Sequence, residues 1–158
     1  MAKARDIHGL SAELPFREAA AIAVGMRADE VWEHQHRALD TADIEGVHDM
    51  RVATRRLRAA MEIFAPVFPG KRHKKALGEV KRLADVLGER RDPDVMIAGL
   101  RELEAKLTKE DMPGIESLID ELRAGQDEAN ELLERTLGEA AEDKLPERLQ
   151  LLAAEVRA

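Results

Sequence analysis

Four arginines and a histidine fall within the twelve residues Val47-His48-Asp49-Met50-Arg51-Val52-Ala53-Thr54-Arg55-Arg56-Leu57-Arg58. On a helical wheel with His48 at zero, Arg51, Arg55 and Arg58 lie at about 300°, 340° and 280°, so the four share an arc of about 80°. Met50, Ala53, Leu57, Ala60, Met61 and Phe64 gather around about 180° and form a separate apolar face. Guanidinium groups suit an anion such as phosphate, because their planar fork makes paired, charge-assisted hydrogen bonds and keeps its charge near neutral pH. His48 at the head of the stripe is a further donor, stronger when protonated in mild acid.

A solvated helix face would balance such charges with acids one turn away. Only Arg58 has one, Glu62; Arg51 faces Arg55, and Arg55 faces Ala59. Like charges at that spacing destabilise a helix by a few tenths of a kcal/mol, so an external anion or tertiary acids must compensate. A second basic cluster, Lys71-Arg72-His73-Lys74-Lys75, is followed by Lys81 and Arg82, with Arg90 and Arg91 further on. Lys74 and Lys81 lie about 20° apart on the wheel. Cations at a helix start oppose the macrodipole, which argues against a purely solubilising role. The candidate anion-binding set is therefore His48, Arg51, Arg55 and Arg58, with Arg56, Lys74, Lys75, Lys81, Arg82 and Arg91.

Helices must position these groups. Pro15 suits the first position of a helix whose core stripe, Val24, Ala28, Val31, Gln35 and Leu39, carries it to about Thr41. Asp43 reads as the N-cap of the arginine helix, from about Ile44 to Phe64, which Pro66 and Pro69-Gly70 stop. A third helix covers about Lys71 to Glu89 on Leu77, Val80, Ala84 and Leu87. Gly88 and the Arg90–Pro93 stretch break it, and Asp92 caps a fourth helix through Val95, Ile97, Leu100 and Leu103 to about Leu107. Pro113 opens a long helix carrying Ile115, Leu118, Ile119, Leu122, Leu132, Leu133 and Leu137, and a short one follows Pro146. No strand pattern competes. The spacing predicts an all-α bundle of about five to six helices with antiparallel neighbours and a long C-terminal helix, residues 15–158 forming one domain behind a tail of 1–14.

Composition fits one soluble domain. A chain of 158 residues that is 44% hydrophobic can build a core without staples, and it has no cysteine for disulfides or thiolate metal sites. No apolar run approaches the ~18 residues of a membrane span, Ala19–Met26 being the longest candidate, so a cytoplasmic protein is expected. Charge is segregated. Residues 1–47 carry 5 basic and 9 acidic side chains, residues 48–91 carry 12 and 5, and residues 92–158 carry 8 and 18. An acidic chain with one basic block repels polyanions generally and admits them at one place.

Other chemistry is poorly supported. His34 and His36 point about 200° apart on a helix and cannot share a metal, and a lone histidine with Asp92 and Asp94 is weak metal evidence. There is no Gly-rich phosphate loop, nucleophile elbow or HExxH, so no catalytic residue and no enzyme is expected.

The two segments His48-x-x-Arg51-Val52-x-x-Arg55-Arg56-Leu57-Arg58 and Leu87-Gly88-x-x-Arg91-Asp92-x-Asp94-Val95, with a basic helix start between them, resemble the CHAD family (conserved histidine α-helical domain). Members of that family are helical proteins that bind inorganic polyphosphate. The resemblance implies phosphate contacts from His48, Arg51, Arg55 and Arg58, with Lys74, Lys81 and Arg91 added from the neighbouring helix. Arg56, at about 80° on the wheel, is a peripheral member. Asp92 and Asp94 look structural, as helix cap and arginine orienter. The family pairs two related halves around a basic channel. This chain carries one such motif and looks like a first half, so two copies are expected to associate as a homodimer.

The expected function is non-catalytic polyphosphate binding without a cofactor, divalent cations accompanying the polymer, in the cytoplasm and at polyphosphate granules. A nucleic-acid-binding domain is one alternative, disfavoured by overall acidity and by the lack of aromatics among the basic residues. A helical adaptor docking acidic protein partners is another.

Overall fold

The computed structural model describes residues 4–157, which contain six α-helices and no strand. In order these are α1 Phe16–Glu33, α2 Gln35–Ala38, α3 Ile44–Ile63, α4 Gly70–Glu104, α5 Met112–Glu142 and α6 Leu145–Glu155, with a 3-10 turn at Ala65–Val67 between α3 and α4. Residues 1–3 of the expected tail, and Ala158, lie outside the described residues. The rest of the tail lies back on α1, where the Arg5 backbone N–H donates to Glu30 Oε1 at 3.3 Å.

The neighbours are antiparallel, since contacts join the start of one helix to later residues of the next and its end to earlier ones. Between α3 and α4 these join Ile44 to Arg91, Glu62 to Lys81 and Met61 to His73. Between α4 and α5 they join Arg82 to Glu139, Arg90 to Asn130 and Asp94 to Gln126. One core unites the helices: Ala20, Val24, Ala28 and Val31 of α1, Met50, Ala53, Leu57 and Met61 of α3, Ala76, Val80, Leu83 and Leu87 of α4, Leu133 and Leu137 of α5, and Leu145, Leu149 and Leu152 of α6. Each large side chain so buried is worth about 1.5–3 kcal/mol relative to exposure.

Two helix boundaries differ from the spacing-based expectation. The first helix stops at Glu33, short of Thr41, and α2 is offset to carry Arg37 across to α3. The third and fourth expected helices are one: α4 runs through Pro93 for 35 residues, about 52 Å at 1.5 Å per residue. Pro93 removes a single N–H, so only the carbonyl of exposed Glu89 goes unpaired inside the helix, where water can satisfy it. Buried Arg90 and Asp94 bridge the same turn, with Arg90 Nη1 donating to Asp94 Oδ1 at 2.9 Å. Asp92 is consequently an exposed mid-helix residue and caps nothing.

Beyond Asp94, α4 outruns α3 and pairs with the start of α5. Val95 and Leu103, expected on a core face, are 55% and 41% exposed, because a lone helix pair has one buried seam, closed here by Ile119.

Candidate anion-binding face

The arginine helix is fixed at its start by polar contacts. Asp43 Oδ1 accepts from the Gly46 backbone N–H at 3.1 Å, the N-cap the sequence predicts. Arg37 of α2 donates to Asp43 Oδ2 at 2.8 Å and to Asp49 Oδ2 at 3.1 Å, and this hydrogen bond and charge hold the Asp43 carboxyl below its usual range. The backbones meet closely here: a Cβ on Gly46 would stand 2.2 Å from the Arg37 carbonyl oxygen, so only glycine fits. Farther along, Met50, Ala53, Leu57 and Met61 are fully buried, which fixes the rotation of α3 and turns the opposite side outward.

That outward side carries the stripe. The side chains of His48, Arg51 and Arg55 make no hydrogen bond or ion pair with any other described residue. Arg55 is exposed, and with Val52, Arg56 and Ala59 it lines a shallow surface hollow of about 340 Å³. Arg51 lies over Gly88 of α4, where a Cβ would stand 4.0 Å from its Nε. Lys74 is exposed and likewise unpaired among the described residues. Arg58 and Lys81 meet at one carboxylate: Glu62 Oε1 lies 3.2 Å from Arg58 Nε and 3.0 Å from Lys81 Nζ. The Lys81 ammonium, then the Arg58 guanidinium, hold the Glu62 carboxyl below its usual range.

The remaining candidates are turned elsewhere. Arg56 faces α1, where Nη1 donates to Glu30 Oε1 at 3.1 Å. Glu30 is 3% exposed, and burial pushes its carboxyl up. The Arg27 hydrogen bond, the Arg5 N–H and the Arg56 charge outweigh that and leave it below the usual range. On α4, Lys75 lies 3.9 Å from Glu79, which Arg148 of α6 also holds, and Arg82 reaches Glu139 of α5 at 2.7 Å. Arg72 pairs with Glu155 of α6. Arg91 is half-buried, donating to the Ile44 carbonyl at 3.2 Å with Asp94 Oδ2 3.6 Å away, so it ties α4 to the start of α3. Lys81 therefore meets Arg58 beside His48, Arg51 and Arg55, unpaired among the described residues, while Arg56, Arg82 and Arg91 tie helices together and Lys75 pairs within α4.

Four working groups escape a reading by spacing alone. Arg37 clamps the α3 cap from a helix the periodicity did not separate. Glu62 joins the stripe to α4, and only its half toward Arg58 is visible at i+4. Buried His73 stacks on Phe68 and faces the Met61 carbonyl oxygen across 2.9 Å through Nε2. Arg90 is wholly buried beside Asp94 and Asn130, where an i, i+4 pair was the available signal. No cluster of histidine or acidic residues suited to a metal ion occurs among the described residues, and none of their helices is long and apolar enough to cross a membrane.

The family model of the CHAD domain matches residues 23–158. The chain belongs to this family. No curated protein and no solved structure matches it. The CHAD domain match takes in both motifs, His48–Arg58 and Leu87–Val95, and reaches through α5 and α6. The acidic C-terminal helices are thus part of the CHAD domain, and Glu139 of α5 and Glu155 of α6 balance the α4 cations Arg82 and Arg72.

Proposed function

We propose that the outward face of α3, with Lys74 and Lys81 of α4, binds inorganic polyphosphate without catalysing its turnover. The observation that carries this reading is the absence of counter-charge from any described residue at His48, Arg51 and Arg55, in a chain of net charge −7 whose acids balance most of its other arginines. Three donors in successive turns of one helix side, Arg55 exposed and His48 and Arg51 half-buried, suit a ligand that repeats its negative charge along a line. A linear polyphosphate does so, and each phosphate offers oxygens for the guanidinium fork. Helical CHAD membership supports the same ligand class.

Substituting Arg51→Ala together with Arg55→Ala tests the reading. Long-chain polyphosphate affinity is expected to fall tenfold or more, about 1.4 kcal/mol or above, with far-UV circular dichroism unchanged. Binding should weaken with salt at roughly 0.7 log units per neutralised phosphate for each log unit of salt. A double variant that binds as well as wild type overturns the assignment. Equal binding of duplex DNA at physiological salt moves it to nucleic acid.

In this reading two copies associate, so that a second α3 face forms the other wall of the anion track, and the protein gathers at cytoplasmic polyphosphate granules. A single-chain mass by light scattering at micromolar concentration, with and without polyphosphate, removes the association.

A further inference from the structure

The α3/α4 face changes character along its length. Toward the α3 N-terminus, His48, Arg51 and Arg55 have no hydrogen-bond or ion-pair partner among the described residues; toward its C-terminus, two cations from different helices converge on a single oxygen. Glu62 Oε1 sits 3.2 Å from Arg58 Nε and 3.0 Å from Lys81 Nζ. One oxygen shared by a guanidinium and an ammonium is the arrangement a phosphate oxygen takes between the same groups. Among the described residues, Glu62 bonds only these two side chains. All three side chains retain 42–44% of their surface, so the carboxylate can swing into water without burying a charge.

We propose that Glu62 is an internal stand-in for phosphate: Arg58 and Lys81 are the second half of the anion track, opened when a polyanion anchored at His48, Arg51 and Arg55 displaces the Glu62 carboxylate. The inference rests on the polyphosphate reading and adds to it the order in which the track fills. An exposed ion pair is worth at most about 1 kcal/mol, so releasing Glu62 costs little. A phosphate tethered to a chain already held one turn away acts at an effective concentration in the millimolar range, which repays that cost. Free orthophosphate has no such tether and is left to the open end. Glu62 is an ordinary carboxylate at neutral pH, charged there whether or not the two cations are near, so it competes at full strength.

Two other roles for Glu62 make opposite forecasts. A carboxylate that positions Arg58 and Lys81 for the ligand would, on removal, weaken binding. One the polymer never reaches would act only as a distant charge, matched by Glu139→Gln, which removes an acid paired with Arg82 on the α5 side.

The experiment titrates long-chain polyphosphate into wild type, Glu62→Gln and Glu139→Gln at two salt concentrations, with circular dichroism as the folding control. Glu62→Gln is expected to tighten binding about fivefold, the cost of freeing one exposed pair. It should also steepen the salt dependence by up to about 0.7 log units per log unit of salt, because no carboxylate regains counterions. Glu139→Gln should change affinity less than about twofold, as surface charges of this kind do. Weaker binding by Glu62→Gln, or a gain no larger than that of Glu139→Gln, overturns the inference while leaving polyphosphate binding intact. Wild type that binds no polyphosphate overturns both.

Discussion

Arg55 and Arg56 are neighbours in sequence, and the bundle treats them in opposite ways. Arg56 turns toward α1 and is neutralised by Glu30, in a cluster that also holds Arg27 and the Arg5 backbone. Arg55 turns outward and meets no acid among the described residues. Arg90 carries the first case further: wholly buried in the α4/α5 seam, it donates to Asp94 and Asn130. One residue type thus serves two purposes, and the helix face decides which. Arginines pointing into a seam are matched by protein acids and tie helices together. On the outward side of α3, Arg51 and Arg55 meet no acid among the described residues and Arg58 meets only the exposed Glu62, at the cost of like-charge repulsion one turn apart.

The seam is where this contrast breaks most severely. Asp94→Ala leaves the Arg90 guanidinium buried with Nη2 already unbonded and its main counter-charge gone. The expected loss is about 3–5 kcal/mol of stability, read as a fall in Tm of about 10 °C or more. At a temperature where the variant is folded, polyphosphate affinity should stay within about threefold of wild type, because an exposed ligand contact gains only modestly from one distant charge. A variant of normal Tm shows that the seam does not depend on this pair.

Glu30 gives a milder break, with a pH signature. Its folded carboxyl titrates below the ordinary value of 4.5, so its stabilisation is complete above that value and is lost as pH falls through the lower folded value. Glu30→Gln should cost about 1–3 kcal/mol at neutral pH by leaving Arg27 and Arg56 underbonded. The difference from wild type should shrink as pH drops below 4.5, where the wild-type carboxyl also becomes neutral. A gap that stays constant down to pH 3 shows that Glu30 acts through packing and not through charge.

The amount legible in the sequence follows the same division. The rotation of α3 was readable because Met50, Ala53, Leu57 and Met61 repeat at helical spacing, and a correct rotation places His48, Arg51, Arg55 and Arg58 together. Lys75 pairs with Glu79 one turn along its own helix, a spacing the sequence does display. The fates of Arg82 and Arg91 were not readable, since each depends on antiparallel register with another helix: Glu139 of α5, and Ile44 at the start of α3. Pro93 misled for a related reason. Proline removes one local hydrogen bond, a cost visible in sequence, whereas Asn130 and Gln126, which bond the Arg90–Asp94 pair spanning the proline, come from α5.

Gly88 offers the finest adjustment to the contrast, because it sits in α4 directly under Arg51. A glycine within a helix costs about 0.5–1 kcal/mol relative to alanine, and an added Cβ would stand 4.0 Å from Arg51 Nε, an ordinary contact. Gly88→Ala should therefore raise Tm by about 2 °C and leave polyphosphate affinity unchanged. Gly88→Leu extends the side chain into the space the guanidinium occupies and should swing Arg51 off the stripe, weakening binding about threefold, less than the double arginine variant does. The pair of variants separates two uses of a bare backbone. If Gly88→Leu alone weakens binding, the glycine makes room for Arg51. If Gly88→Ala weakens it as well, the ligand itself approaches α4 at this point, and the anion track lies in the groove between α3 and α4 and not along the crest of α3.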